Sequence, residues 1–229
     1  MAQPLTDAGV VHHPVAEVVQ ACLDGDFPIP DGSWEVMPSW RPNLGAIISL
    51  TGRAMLCLPE GGPVHTRLKG LIASGTPIDG FGAAQRPHVV TTLAGNGWVD
   101  DLDLVLARRG LAPVGAVSPR PADLREVEPP FGHPRVDRAL RIRDDVRVYR
   151  IDGVDGLATV GAGIGGLPEI SVEADLRGGG RWLIEGALHT LRTCEVVIAA
   201  VAPGNTRSLR LLLTMGFVPV ASAQLFIPG

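Results

Sequence analysis

Lysine is almost missing from this chain of 229 residues: Lys69 is the only one among 20 basic side chains. Tyrosine is single as well, at Tyr149, and aromatic residues make up only 4%. Scarce lysine beside abundant alanine, glycine and proline reads as the signature of a GC-rich bacterial genome. No block of like charge occurs and the formal charge is −4. Duplex binding needs a concentrated basic face, so nucleic acid is not expected as a partner. The three cysteines, Cys22, Cys57 and Cys194, stand far apart without a Cys-x-x-Cys pair. That spacing excludes a disulfide framework and a zinc ribbon, and it fits a reducing cytoplasm.

Other absences narrow the field further. No uninterrupted apolar run approaches the roughly 20 residues that a membrane-spanning helix needs. The first residues lack the basic start and apolar stretch of a signal peptide, so a cytoplasmic protein away from membranes is expected. The histidines (His12, His13, His65, His88, His133 and His189) show no metal-ligand spacing, and no metal is expected. A G-x-S-x-G elbow is absent, which removes the usual serine hydrolase arrangement. What remains is 45% hydrophobic and 19% charged, a globular composition with enough chain for one large or two small cores.

The patterning divides the chain at three places. Residues 1–110 mix short helical and strand patterns: helices at 15–23, 65–73 and 87–94, two strands within 46–58 joined near Thr51-Gly52, and a strand at 102–107. Residues 111–132 are proline-rich and read as an extended connection. A short helix at 134–143 opens the third region, 133–229. There strands are expected at 146–151 and 157–160 around Asp152-Gly153. From Glu169 to Leu176 polar and apolar residues alternate strictly, which puts Glu169, Ser171, Glu173 and Asp175 on one face of a strand. A helix follows a glycine turn. Then come a fully buried strand at 196–201, a helix over 205–215, and closing strands at 217–220 and 224–227.

Two glycine-rich runs compete for attention. Gly161-Ala162-Gly163-Ile164-Gly165-Gly166 matches G-x-G-x-x-G, but Pro168 and an alternating strand follow where a helix should begin. A dinucleotide fingerprint requires that helix, so the run is expected to be the bulged end of one strand leading into the next. Arg177-Gly178-Gly179-Gly180-Arg181-Trp182 is different, because it follows a strand and opens a helix. Glycines there let the backbone approach an anion, and the helix N-terminus supplies N–H donors and partial positive charge. A helix and a strand later come Asn205, which suits a helix cap, and Gly216-Phe217 at the helix end.

In this order and spacing the two segments resemble the Gcn5-related N-acetyltransferases, the GNAT superfamily, over about residues 146–229, in an uncharacterised actinobacterial-type branch. The family signature is Arg/Gln-x-x-Gly-x-Gly/Ala; Arg177 and Gly180 fit it, while Trp182 stands where the last small residue is usual. Asn205, Ser208, Gly216 and Phe217 match the second motif. The resemblance implies an α/β (α+β) fold of GNAT type with a mixed, splayed central sheet, preceded by an N-terminal α/β region. Residues 1–110 would then be either a degenerate second transferase-like unit or, slightly preferred, the missing front elements and a substrate-side cover.

It also implies acetyl-CoA as co-substrate, bound by Val172, Arg177, Gly178, Gly179, Gly180, Arg181, Trp182, Asn205 and Ser208, with the pantetheine arm between the 169–176 and 196–201 strands. The implied reaction is acetyl transfer to a primary amine of a small molecule or protein. A backbone N–H near Val172 would polarise the thioester carbonyl. Glu173 or Glu169 would take the amine proton, directly or through a water. Each has a plainer reading as part of a solvent-facing polar edge. A tyrosine usual one turn before Gly-Phe is replaced by Leu212, and Tyr149 is expected to be structural. That substitution keeps open a non-catalytic CoA-binding regulatory protein, beside a structural assembly module and homo-oligomerisation.

Overall fold

The computed structural model describes residues 13–110, 124–175, 178–191 and 196–229. In chain order the elements are α1 (Pro14–Leu23), β1 (Trp34–Pro38), β2 (Gly45–Leu50), β3 (Arg53–Leu58), α2 (Pro63–Ala73), α3 (Pro87–Ala94), β4 (Trp98–Arg109) and β5 (Leu124–Val127). They continue with α4 (Pro134–Ile142), β6 (Asp144–Ile151), β7 (Gly156–Ala162), β8 (Pro168–Ala174), α5 (Gly179–Thr190), β9 (Val196–Val201), α6 (Thr206–Thr214) and β10 (Val218–Ile227). The fold is mixed α/β, and it forms two compact units.

One unit draws on Glu17–Leu106, Val201–Leu209 and Val218–Gly229. Its strands run in the order β1-β3-β2-β10-β4. β2 and β3 form the expected hairpin, and Thr51 and Gly52 both take positive φ, 39° and 78°. Two such residues in succession give the turn whose twist matches the flanking strands. β1 pairs parallel with β3 at the sheet edge, where Pro38 loses no ladder bond. β10 arrives from the far end of the chain to pair antiparallel with β2. It is one continuous strand where two were expected, because Ser222 and Ala223 pair with Ser49 and Ile48 of β2 without a turn. Ile47, Leu56, Leu58, Val64, Leu68, Leu71, Val89, Leu93 and Phe226 form a single core cluster between this sheet and α2 and α3.

The other unit draws on Ala107–Ala200 and Arg210–Phe217, with the start of α1. Its strands run β9-β8-β7-β6-β5. β5, β6, β7 and β8 pair antiparallel in succession. β5 lies inside the proline-rich stretch expected to be a bare connection; it is a strand because Leu124–Val127 find partners in Ile151–Val148. Residues 111–123 lie outside the described residues. The two faces of this sheet are distinguished by β6, where successive side chains point to opposite sides. Val148 packs with Val136 of α4 and Leu157 of β7. Its neighbour Tyr149 is hydrogen-bonded to Thr190 of α5, and burial pushes its phenol above the usual range. Helix α4 therefore covers one face and α5 the other.

β8 and β9 run parallel but, among the described residues, share a single register pair, Glu169 with Ile198. Both strands continue beyond it, β8 to Ala174 and β9 to Val201. They part after that contact.

Candidate acyl-CoA site

β8 carries two different surfaces, as its alternation requires. Glu169, Ser171 and Glu173 share a face, and α4 lies over it. The face is graded from core to rim. At the inner end Glu169 is buried and accepts a hydrogen bond from Arg143 Nη2 at 2.5 Å. Arg143, just past α4, donates from Nη1 to Thr159 Oγ1 at 3.1 Å and to Ser171 Oγ at 3.3 Å. The two hydroxyls are 2.7 Å apart. Arg143 Nε is buried without a partner among the described residues. Burial lowers the Arg143 pKa from the ordinary guanidinium value, and Glu169 partly offsets this.

The glycine run that mimics a dinucleotide fingerprint serves this pair. It forms the bend between β7 and β8, as expected, with Gly163 N–H bonded to Leu167 O at 2.8 Å. A Cβ on Gly163 would collide with the Glu169 carboxylate and lie 2.7 Å from its Cβ. The missing side chain makes the space in which a carboxylate is buried.

At the rim, Glu173 is about half exposed. Its Oε2 accepts from Arg135 Nε at 3.2 Å, and its Oε1 stands 3.8 Å from His133 Nε2. Both partners come from the start of α4, with His133 at its N-cap position. His133 Nδ1 is buried and unpartnered among the described residues. The two carboxylates expected on one face are thus in unlike surroundings. Glu169 is held inside a closed network, while Glu173 meets solvent. Sequence reasoning passed over His133 and Arg135, since neither belongs to a motif; their nearness to Glu173 comes from helix α4 folding back over β8.

The opposite face of β8 meets the start of α5. Gly178 caps this helix with φ 91°, a left-handed conformation that glycine adopts without strain. A Cβ added at Gly178 would meet nothing within 4 Å, so the approach is open. A Cβ at Gly180 would lie 3.2 Å from Leu211 Cδ2 and 4.0 Å from Val172 Cγ2. The structure therefore brings Gly180 and Val172 together. Gly178, Gly179 and Gly180 sit where helix geometry leaves N–H groups without intrahelical acceptors. Arg181 Nε is engaged by Glu185 Oε1, one turn on, at 2.8 Å. Trp182 is 45% exposed. Arg177 lies outside the described residues.

Asn205 and Ser208 belong to the unit that holds β10. Asn205 Oδ1 accepts the Ser208 N–H at 3.2 Å, the helix cap expected of it. Leu212, at the position of the usual tyrosine, is buried, and its carbonyl accepts the Phe217 N–H at 3.1 Å. Among the described residues no three His, Cys, Asp or Glu side chains gather as a metal site, and no helix is long and apolar enough to cross a membrane.

No family model matches the chain, and no curated protein matches it. Among solved structures it is similar to a Gcn5-related N-acetyltransferase from Kribbella flavida, at 17% identity and a TM-score of 0.40, over 95% of this chain and 96% of that one. It is also similar to a protein from Novosphingobium aromaticivorans assigned to the GNAT family of acetyltransferases, at 20% identity and a TM-score of 0.36, over 59% of this chain and 69% of that one.

Proposed function

We propose that the protein is an acyl-CoA-dependent N-acetyltransferase that moves an acetyl group from acetyl-CoA to a primary amine. The observation that carries this reading is the single β8–β9 pair next to a glycine-started helix. Beyond Glu169, backbone groups on the facing edges of β8 and β9 have lost their ladder partners, and buried backbone groups need partners. The amide-bearing pantetheine arm suits that gap, because it can bond to a strand edge as another strand would. The diphosphate would then sit at the N–H groups of Gly178, Gly179 and Gly180, with the charge of Arg177 and Arg181 nearby.

In the proposed reaction a backbone N–H of β8 near Val172 polarises the thioester carbonyl. Such a donor, fixed before the reaction, contributes about 2.7–4 kcal/mol to the transition state. Glu173 takes a proton from the acceptor ammonium, directly or through a water. The freed nitrogen lone pair forms the N–C bond, the C–S bond breaks, and the thiolate takes up the second amine proton. A thiol is acidic enough to leave without a dedicated acid, so a buried Leu212 is compatible with turnover. Glu169 is assigned to holding the strand, since its carboxylate is already committed to Arg143.

Leu212 also favours a second reading, a CoA-binding protein without catalysis. Calorimetric titration with acetyl-CoA, followed by a thiol-release assay over an amine panel, separates the two. Binding should weaken at least tenfold in the Arg177→Ala, Arg181→Ala double variant. Absence of binding by the wild type refutes both readings; binding without thiol release leaves the second.

A further inference from the structure

The rim of β8 presents an acid and a base of opposite charge side by side. Arg135 uses Nε for Glu173, and its two Nη groups have no partner among the described residues. Glu173 stays about half exposed and Arg135 one-third exposed, so both remain open to a ligand from solvent. A planar guanidinium with a free edge is the group best matched to a carboxylate, which it binds through two parallel hydrogen bonds. The Nε–Oε2 separation of 3.2 Å is a single hydrogen-bond length. An α-amino acid carries an ammonium and a carboxylate joined through one carbon, the reverse of the two charges set side by side here.

We infer that the acceptor is an α-amino acid, an amine bearing a carboxylate on the adjacent carbon. Its ammonium lies against Glu173 and its carboxylate against the Nη edge of Arg135. This rests on the transferase reading above and names the substrate class of that site. Glu173, next in the chain to Val172, then both attracts the ammonium and receives its proton. His133 closes the third side: with Nδ1 shut away from solvent, its ring meets the acceptor through Nε2 alone. A plain alkylamine satisfies Glu173 and leaves the Arg135 edge unpaired. Leaving a built hydrogen-bonding group unpaired is what gives an enzyme its strongest discrimination.

The test measures thiol release from acetyl-CoA with the common α-amino acids, each beside its carboxamide and its decarboxylated amine. At least one amino acid should exceed both of its analogues tenfold or more in kcat/KM. Arg135→Ala and Arg135→Gln, each checked for folding by circular dichroism, should reduce that ratio by tenfold or more, chiefly through KM. A carboxamide or alkylamine turned over as well as its amino acid overturns the acceptor class and leaves the transferase reading standing. A ratio unchanged in both variants overturns the role of Arg135. No thiol release with any amine overturns the transferase reading and the acceptor class together.

Discussion

Replacing one partner of the Arg143–Glu169 pair should cost far more than replacing both. The two side chains are 1% and 2% exposed. In Glu169→Leu the guanidinium would stay buried with only two neutral hydroxyl acceptors, on Thr159 and Ser171. Stranding a buried charge in this way costs about 3–5 kcal/mol, whereas exchanging a whole buried pair for apolar residues of similar volume is often neutral or stabilising. Against a typical total stability of about 5–15 kcal/mol the single loss is severe. Four proteins suffice: wild type, Arg143→Met, Glu169→Leu and the double variant, each unfolded in urea and followed by circular dichroism. Each single variant should lose about 3 kcal/mol or more, and the double variant should recover most of it. With about 1 kcal/mol of loss remaining in the double variant, the coupling between the sites is about 5 kcal/mol in magnitude, well beyond the scatter of independent mutations. Additive losses, or a single variant costing under about 1 kcal/mol, would refute the account of Glu169 as a structural carboxylate.

Other consequences are checked more quickly. Glu173→Gln keeps the shape of the rim but cannot accept the amine proton; kcat in the thiol-release assay should fall by about 100-fold or more. Gly163→Ala drives a methyl into the Glu169 carboxylate, and thermal unfolding should show a loss of about 1–3 kcal/mol from overpacking. Burial, with Glu35 adding to it, pushes the Cys57 thiol up from 9.0 to about 12. A raised folded value favours the neutral thiol, so its stabilising contribution is complete below pH 9 and is lost as pH rises towards 12. Mass spectrometry after iodoacetamide treatment at pH 8 should find Cys57 unlabelled in the native protein and labelled in urea.

Local chemistry was readable from the sequence and distant partnerships were not. The strict alternation around Ile170 fixed a strand and its two faces, because period two leaves no other regular structure. The glycine after that strand and Asn205 announced the starts of α5 and α6 in the same direct way. Glu169 was placed on its correct face, yet its burial was invisible: Arg143 lies 26 positions earlier, beyond two strands and a tight bend. Leu124–Val127 looked like linker since its middle residues are charged, and only the β6 register makes it a strand. His133 and Arg135 carried no motif, so their meeting with Glu173 needed the placement of α4. Each miss is a contact between segments that no local pattern encodes.

The parting of β8 from β9 gives that unit an open edge between two neighbouring strands of its sheet. A rim edge recruits stray chains and is a hazard that proteins blunt with charge or proline. Here the opening narrows to a vertex at Glu169 and Ile198, so an added polypeptide strand would find register at one point and lose it at the next. A short, thin chain of amides ending in a small thioester meets no such limit. In the free protein the amide hydrogens along that opening should exchange quickly with solvent, and a bound coenzyme should slow them. Under the proposed function the defect in the ladder would be both the entrance and its own reporter.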